Sequence, residues 1–172
     1  MTACKNCELL KKEELIIFED EQVAAILSDT PATVAHVIIL PKQHYTILEQ
    51  APDEIVEKLG IVANKISTAI FESLNIGGTV VMIQNGTVAG QDVPHLSVHV
   101  FPRTENDELS LGWDTQKVSD DELSMLASQI SKAVLPVGTV PVQQTVQKEV
   151  PADQIDGDDE DNYLIRQLER RP

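Results

Sequence analysis

The sequence predicts an α+β domain with a mainly antiparallel sheet of about five strands, one long and one shorter helix, and a C-terminal extension. Three observations predict it. Short runs rich in Ile, Val and Leu are bounded by turn residues, and a single long stretch carries apolar residues at helical spacing. Beyond residue 135 the composition turns irregular and acidic. Strands grouped on either side of one helix favour this class over a doubly wound parallel sheet.

The elements follow in order. Leu15-Ile16-Ile17-Phe18, ending in Glu-Asp, and the run 22–27 read as two strands of a hairpin, with Ser28-Asp29-Thr30-Pro31 as turn chemistry after them. Residues 35–40 (AHVIIL), closed by Pro41, read as a buried strand. Pro52 suits a first helical turn, and Asp53 and Glu54 complement the positive end of the helix dipole. Ile55, Leu59, Val62, Ile66, Ile70 and Leu74 then form one apolar stripe that ends at Asn75, Gly77 and Gly78. Residues 79–83 (TVVMI) form the next strand, and residues 95–100 another, upstream of a bend at Pro102. A second helix is expected near 119–133, opened by the capping-box sequence Ser119-Asp120-Asp121-Glu122. These elements define a domain over residues 1–135. The extension 136–172 carries Pro136, Pro141 and Pro151, an acidic run at 154–161, and a final segment with Leu164, Ile165 and Leu168 on one helical face. That segment reads equally as a solvated tail or as one that docks on its own domain or a second subunit.

Bulk properties bound the function. The 172 residues suffice for one domain with a proper core. Aromatic residues make up only 3%, so aliphatic side chains must build that core. No apolar run has the length of a membrane span, and the N-terminus lacks a signal-peptide core, so a cytoplasmic protein is expected. With 28 acidic against 13 basic residues the net charge is −15, which repels polyanions and argues against nucleic acid as a partner. A single small nucleotide is still compatible, because backbone N–H groups and a few local donors can hold a phosphate.

The richest segment is 90–103, GQDVPHLSVHVFPR. Alternation along a strand puts His95, Ser97 and His99 on one face and turns Leu96, Val98 and Val100 to the core. The preceding loop 84–91 offers two glycines, amide side chains and free backbone donors, which suits a phosphate. Elsewhere, Cys4 and Cys7 are the only cysteines, and their C-x-x-C spacing in a cytosolic chain points to metal or redox chemistry rather than a structural disulfide.

Taken together, Phe18-Glu19-Asp20-Glu21, the segment from His36 to PKQH at His44, the GQDVPH run, the trailing FPR and the ENDELSLGW stretch resemble the histidine triad (HIT) family, in its prokaryotic zinc-binding branch. The resemblance covers roughly the first three-quarters of the chain. It implies a HIT-like domain that acts at the α-phosphate of a purine nucleotide or dinucleotide, as a hydrolase or transferase on dinucleoside polyphosphates or nucleoside phosphoramidates. Members are homodimers. In the family the middle histidine of H-x-H-x-H is the nucleophile, and the matching position here is Ser97. A serine hydroxyl needs a base, for which His99 is the candidate, and its phosphodiester would hydrolyse slowly. The resemblance therefore implies weakened activity, with Ser97 and His99 as the catalytic pair. A non-catalytic nucleotide-binding module and an interaction protein with a vestigial pocket remain the rival readings.

The same resemblance implies a closed, structural zinc site on Cys4, Cys7, His44 and His95. It assigns Gln84, Gln91 and His99 to the nucleotide phosphates. Phe18 and Ile26 match residues near the base, or are simply core, and His36 matches a buried histidine whose alternative role is structural. Ser28 stands where an acidic residue commonly holds the ribose, with Asp29 next to it. Ala35 stands where a glycine is usual, and Asp92 receives no role.

Overall fold

A computed structural model of the chain describes residues 4–134. The fold divides into two units, residues 1–114 and 115–172. The first holds α1 (Lys5–Leu9), β1 (Ile16–Glu19), β2 (Val23–Leu27), β3 (Val37–Pro41), α2 (Asp53–Leu74), β4 (Gly78–Ile83) and β5 (Val98–Arg103). The strands form one sheet in the order β1-β2-β3-β5-β4, with every neighbouring pair antiparallel. The fold is α+β, as the strand–helix–strand order predicts. The second unit contains α3 (Asp120–Ala133), whose first turn is capped by Ser119 accepting a hydrogen bond from the Glu122 backbone N–H. The composition change sets a boundary after residue 135, whereas here α3 falls on the far side of residue 114. The apolar segment at Leu164, Ile165 and Leu168 lies outside the described residues.

Period-two alternation gives the sheet two buried faces. Val23, Ala25, Val37, Ile39, Val98 and Val100 point to one side, where Ile55, Leu59, Val62 and Ile70 of α2 cover them. Each fully buried aliphatic side chain there contributes roughly 1.5–3 kcal/mol. Ile66 packs against this core, while Leu74, in the last turn of α2, is exposed. The helix stops where Asn75 takes a left-handed conformation. On the opposite face Ala24, Ile26, Ile38 and Leu40 pack with Leu9 of α1. Ile26 is thus a core residue of that second face. A tie from the loop after β1 holds α2 in place: Asp20 accepts hydrogen bonds from the Gln22 and Val23 backbone N–H groups and pairs with Lys58. The two backbone N–H groups lead in holding its carboxyl down to about 2, with Lys58 adding to them.

Two sequence expectations about the central strand need correction. The strand begins at Val98, so His95 and Ser97 lie in the segment leading into it rather than within it. Pro102 is no bend but a strand residue opposite Thr79. It is tolerated because β3 pairs with β5 only as far as Val37↔Val100, leaving the strand locally an edge on that side.

Ala35, just before β3, has φ 61°, in the left-handed region. That geometry explains why a glycine suits this position, since a Cβ there costs about 1–2 kcal/mol. Offset by glycine's larger entropy loss of about 0.5–1 kcal/mol, Ala35→Gly is expected to stabilise the chain by up to about 1 kcal/mol. Thermal unfolding checks this, and a lower melting temperature would contradict it.

Candidate functional site

The sheet topology gathers the polar residues at one end of β5. Because Ile83 pairs with Val98, the residues one step further on, Gln84 and Ser97, come opposite each other. Both line a cleft of about 180 Å³ together with His36, Ile38, His99, Gly90 and Gln91. Drug-sized sites run to ~300–1,000 Å³, so this cleft has room for only part of a molecule of that size. Ser28 and Asp29, after β2, and Lys5, Asn6 and Leu9, on α1, complete its wall.

Inside the cleft a directed chain of hydrogen bonds runs from backbone to serine. The Ala32 N–H donates to His36 Nδ1 (3.4 Å), His36 Nε2 lies 3.0 Å from His99 Nδ1, and His99 Nε2 lies 2.9 Å from Ser97 Oγ. The backbone donor decides the polarity. With His36 Nδ1 accepting, its proton is on Nε2, which donates to His99 Nδ1, and the proton of neutral His99 is therefore on Nε2, donating to Ser97 Oγ. The opposite arrangement would set two N–H groups against each other at Ala32. Phe101 fixes the ring of His36 by stacking, with centroids 4.3 Å apart.

Both imidazoles are kept neutral. Burial, and secondarily His99, lowers His36 to about 4, and burial lowers His99. Folding therefore releases protons, so this contribution to stability is complete above about pH 6.5. It falls as the pH drops from there towards 4, the folded value of His36. In a ¹⁵N-resolved NMR titration, we expect both rings to be protonated on Nε2 at pH 7 and His36 to stay neutral until about pH 4. A proton on His99 Nδ1 would contradict the assigned polarity.

A second cluster lies beside the cleft. The ligating atoms of Cys4, Cys7, His44 and His95 all fall within 4.8 Å of one another. His95 Nδ1 is 3.5 Å from Cys4 Sγ and 3.4 Å from Cys7 Sγ, and His44 Nδ1 is 3.5 Å from Cys7 Sγ. With metal–sulfur and metal–nitrogen bonds of about 2.3 and 2.0 Å, a tetrahedral ion requires S···N separations of about 3.5 Å. Three of the four S···N separations in the cluster match that requirement. His95 is fully buried, and its Nε2–H donates to the Pro41 carbonyl (3.1 Å), which leaves Nδ1 as a free lone pair for a metal. Burial first, and the neighbouring Cys4 second, push the Cys7 thiol up.

The remaining expected residues separate. Gln84 donates to the Ala89 carbonyl and keeps its amide oxygen for other partners. Gln91 instead receives the Gly86 N–H and donates to the Thr46 and Val93 carbonyls, so its amide braces the loop. Gly90, at φ 87°, passes so close to the Gln84 amide that a Cβ would collide with it. Phe18 stands apart from the cleft, on a surface groove with Ile61 and Val62 of α2. Asp92 lines the cleft, and Asp29 pairs with Lys12 at 2.8 Å while lining it too.

A family model described as the HIT domain matches residues 10–106, more than half of the chain. The chain belongs to the HIT family. Relatives of this HIT protein include an adenylylsulfatase of Arabidopsis thaliana, 30% identical over 149 residues that cover 84% of this chain and 74% of that one. An adenosine 5′-monophosphoramidase of Saccharomyces cerevisiae is 30% identical over 132 residues, 74% of this chain and 80% of that one. Among solved structures, a zinc-bound histidine triad family protein from Mycobacterium smegmatis superposes with a TM-score of 0.58 at 30% identity, covering 77% of this chain and 98% of that one. Zinc in that relative agrees with the metal-competent cluster here.

Sequence reasoning missed the contribution of α1 to the cleft. Lys5 and Asn6 sit between the two cysteines, and the only signal for their placement was the C-x-x-C spacing itself, which brings whatever lies inside it to the Cys/His cluster. No helix among the described residues is long and apolar enough to cross a membrane.

Proposed function

We propose that this HIT protein binds a purine nucleotide or dinucleotide in the cleft and acts only slowly at its α-phosphate, as a weak hydrolase or transferase. Nucleoside phosphoramidates and dinucleoside polyphosphates are the substrate classes. Ser97 occupies the place of the family's nucleophilic histidine. One observation carries the reading: the hydrogen bond between His99 Nε2 and Ser97 Oγ runs from the imidazole to the serine. The nitrogen that would take the serine proton already carries one. Neutral His99 can donate a hydrogen bond to a phosphoryl oxygen, but it neither activates Ser97 nor supplies a full proton to a leaving group. Gln84, with its amide oxygen unengaged, completes the phosphate side, whereas the Gly86, Ala89, Gly90 and Gln91 N–H groups of the glycine-containing loop are taken by hydrogen bonds within it.

The same polarity favours a second reading, a nucleotide-binding module without turnover. Assaying adenosine 5′-phosphoramidate and diadenosine polyphosphates separates the two. Slow release of AMP, abolished in His99→Ala, supports the weak enzyme, whereas a rate equal to the uncatalysed background leaves the binding module.

Zinc is the ion we assign to Cys4, Cys7, His44 and His95, where it would lock α1 to the strand ends and have no open position for substrate. Thiolate ligands of this kind fit a reducing cytoplasm. A homodimer is supported by β4, an edge strand whose exposed Val81 and Ile83 continue an apolar surface with Val56 and Gly60 of α2.

A further inference from the structure

The cleft contains a buried polar group that neither the hydrogen-bond chain nor the metal cluster uses. Asn6 is only 6% exposed and lines the cleft, its side-chain amide has no hydrogen bond among the described residues, and its polar atoms are not sealed from the cleft. An amide held in this way exchanges water for any ligand group that offers it a matching donor and acceptor. The sheet register places it. His99 pairs with Ile38 across β5 and β3, and Ile38 pairs with Ile26 across β3 and β2. Leu9 packs on Ile26 and Ile38, and Asn6 precedes Leu9 by three residues on the same side of α1. The α1 wall therefore stands one to two strand spacings, ~5–10 Å, from His99. That is the span of a ribose between an α-phosphate and its base. Leu9 and Ile38 give the cleft an apolar wall on which a purine ring can pack, and the Asn6 amide lining the same cleft offers one donor and one acceptor side by side.

We propose that Asn6 is a specificity residue of the cleft, hydrogen-bonding the exocyclic amine and the adjacent ring nitrogen of adenine. Its amide oxygen accepts from the amine and its NH₂ donates to the ring nitrogen, the pairing by which Asn reads adenine elsewhere. The metal cluster sets the position of this reader, because Asn6 lies between two of its ligands.

The inference rests on the nucleotide-binding reading above, and the test separates the two. Calorimetry on the full, metal-loaded chain compares AMP, purine riboside 5′-monophosphate, which lacks only the amine, and ribose 5-phosphate. The wild-type chain is expected to prefer AMP over the amine-free nucleotide by about tenfold. In Asn6→Leu that preference falls to within about twofold, with ribose 5-phosphate affinity and metal content unchanged. Asn6→Ala serves the same purpose where the bulk of leucine disturbs α1. Equal affinity of the wild type for the two nucleotides, or an AMP preference that survives both substitutions, overturns the role of Asn6. Failure of the wild type to bind any of the three ligands overturns the nucleotide reading instead.

Discussion

Ser97→His is expected to raise the turnover of adenosine 5′-phosphoramidate by about a hundredfold or more, a gain in the range that a competent nucleophile supplies. The imidazole introduced there is a nucleophile without prior deprotonation, and its bond to phosphorus is labile enough to be cleared by water. The surroundings suit the change. His99 already donates from Nε2 towards position 97, so it would hydrogen-bond an unprotonated ring nitrogen as readily as the serine oxygen it now meets. Gln84 stays opposite position 97, and the braced loop from Gly86 to Gln91 is untouched. Single-turnover kinetics would show the gain in the chemical step, with AMP affinity changing by less than about threefold. An unchanged rate would mean that the present limit on activity lies outside position 97.

The second large effect concerns the metal. Elemental analysis is expected to find one zinc per chain, and its removal by a chelator to cost at least about 3 kcal/mol, the value for an ion present at several hundred times its dissociation constant. At about 2–4 °C per kcal/mol for a chain of this size, the melting temperature should fall by about 10 °C. The cost is high because the ion ties α1 to the segments after β3 and before β5, and without it the fully buried His95 nitrogen keeps only weak thiol contacts with Cys4 and Cys7. Cys4→Ser and Cys7→Ser should each reproduce most of the loss, and the double substitution should add little, since the ligands act as a unit. A folded, metal-free chain with an unchanged melting temperature would refute the site.

The parts legible in the sequence were those with a strong period. The VIIL part of the AHVIIL run became β3, with Pro41 inside the strand rather than closing it, and the stripe from Ile55 to Ile70 became the buried face of α2, because each pattern has one burial solution. Leu96, Val98 and Val100 turned to the core as alternation requires, even though the strand itself starts only at Val98. What stayed hidden was set by partners distant in sequence. The five-residue α1 has no apolar period of its own and is held by Leu9 and by cysteines facing His44 and His95. The polarity of the Ser97–His99 contact depends on a backbone N–H at Ala32, 65 residues away from Ser97 in the chain. Gln84 and Gln91 carry the same amide chemistry, and only the folded loop shows that one is braced by three hydrogen bonds while the other keeps an acceptor free.

The central claim is that the cleft over Ser97 and His99 is a nucleotide site whose chemistry is restrained. Isothermal titration of the metal-loaded chain with AMP tests it most directly. The account predicts saturable binding of one AMP per chain, weakened about tenfold or more in His99→Ala, as expected for loss of a buried donor to phosphate. Heats no larger than dilution, or binding indifferent to His99, would contradict it.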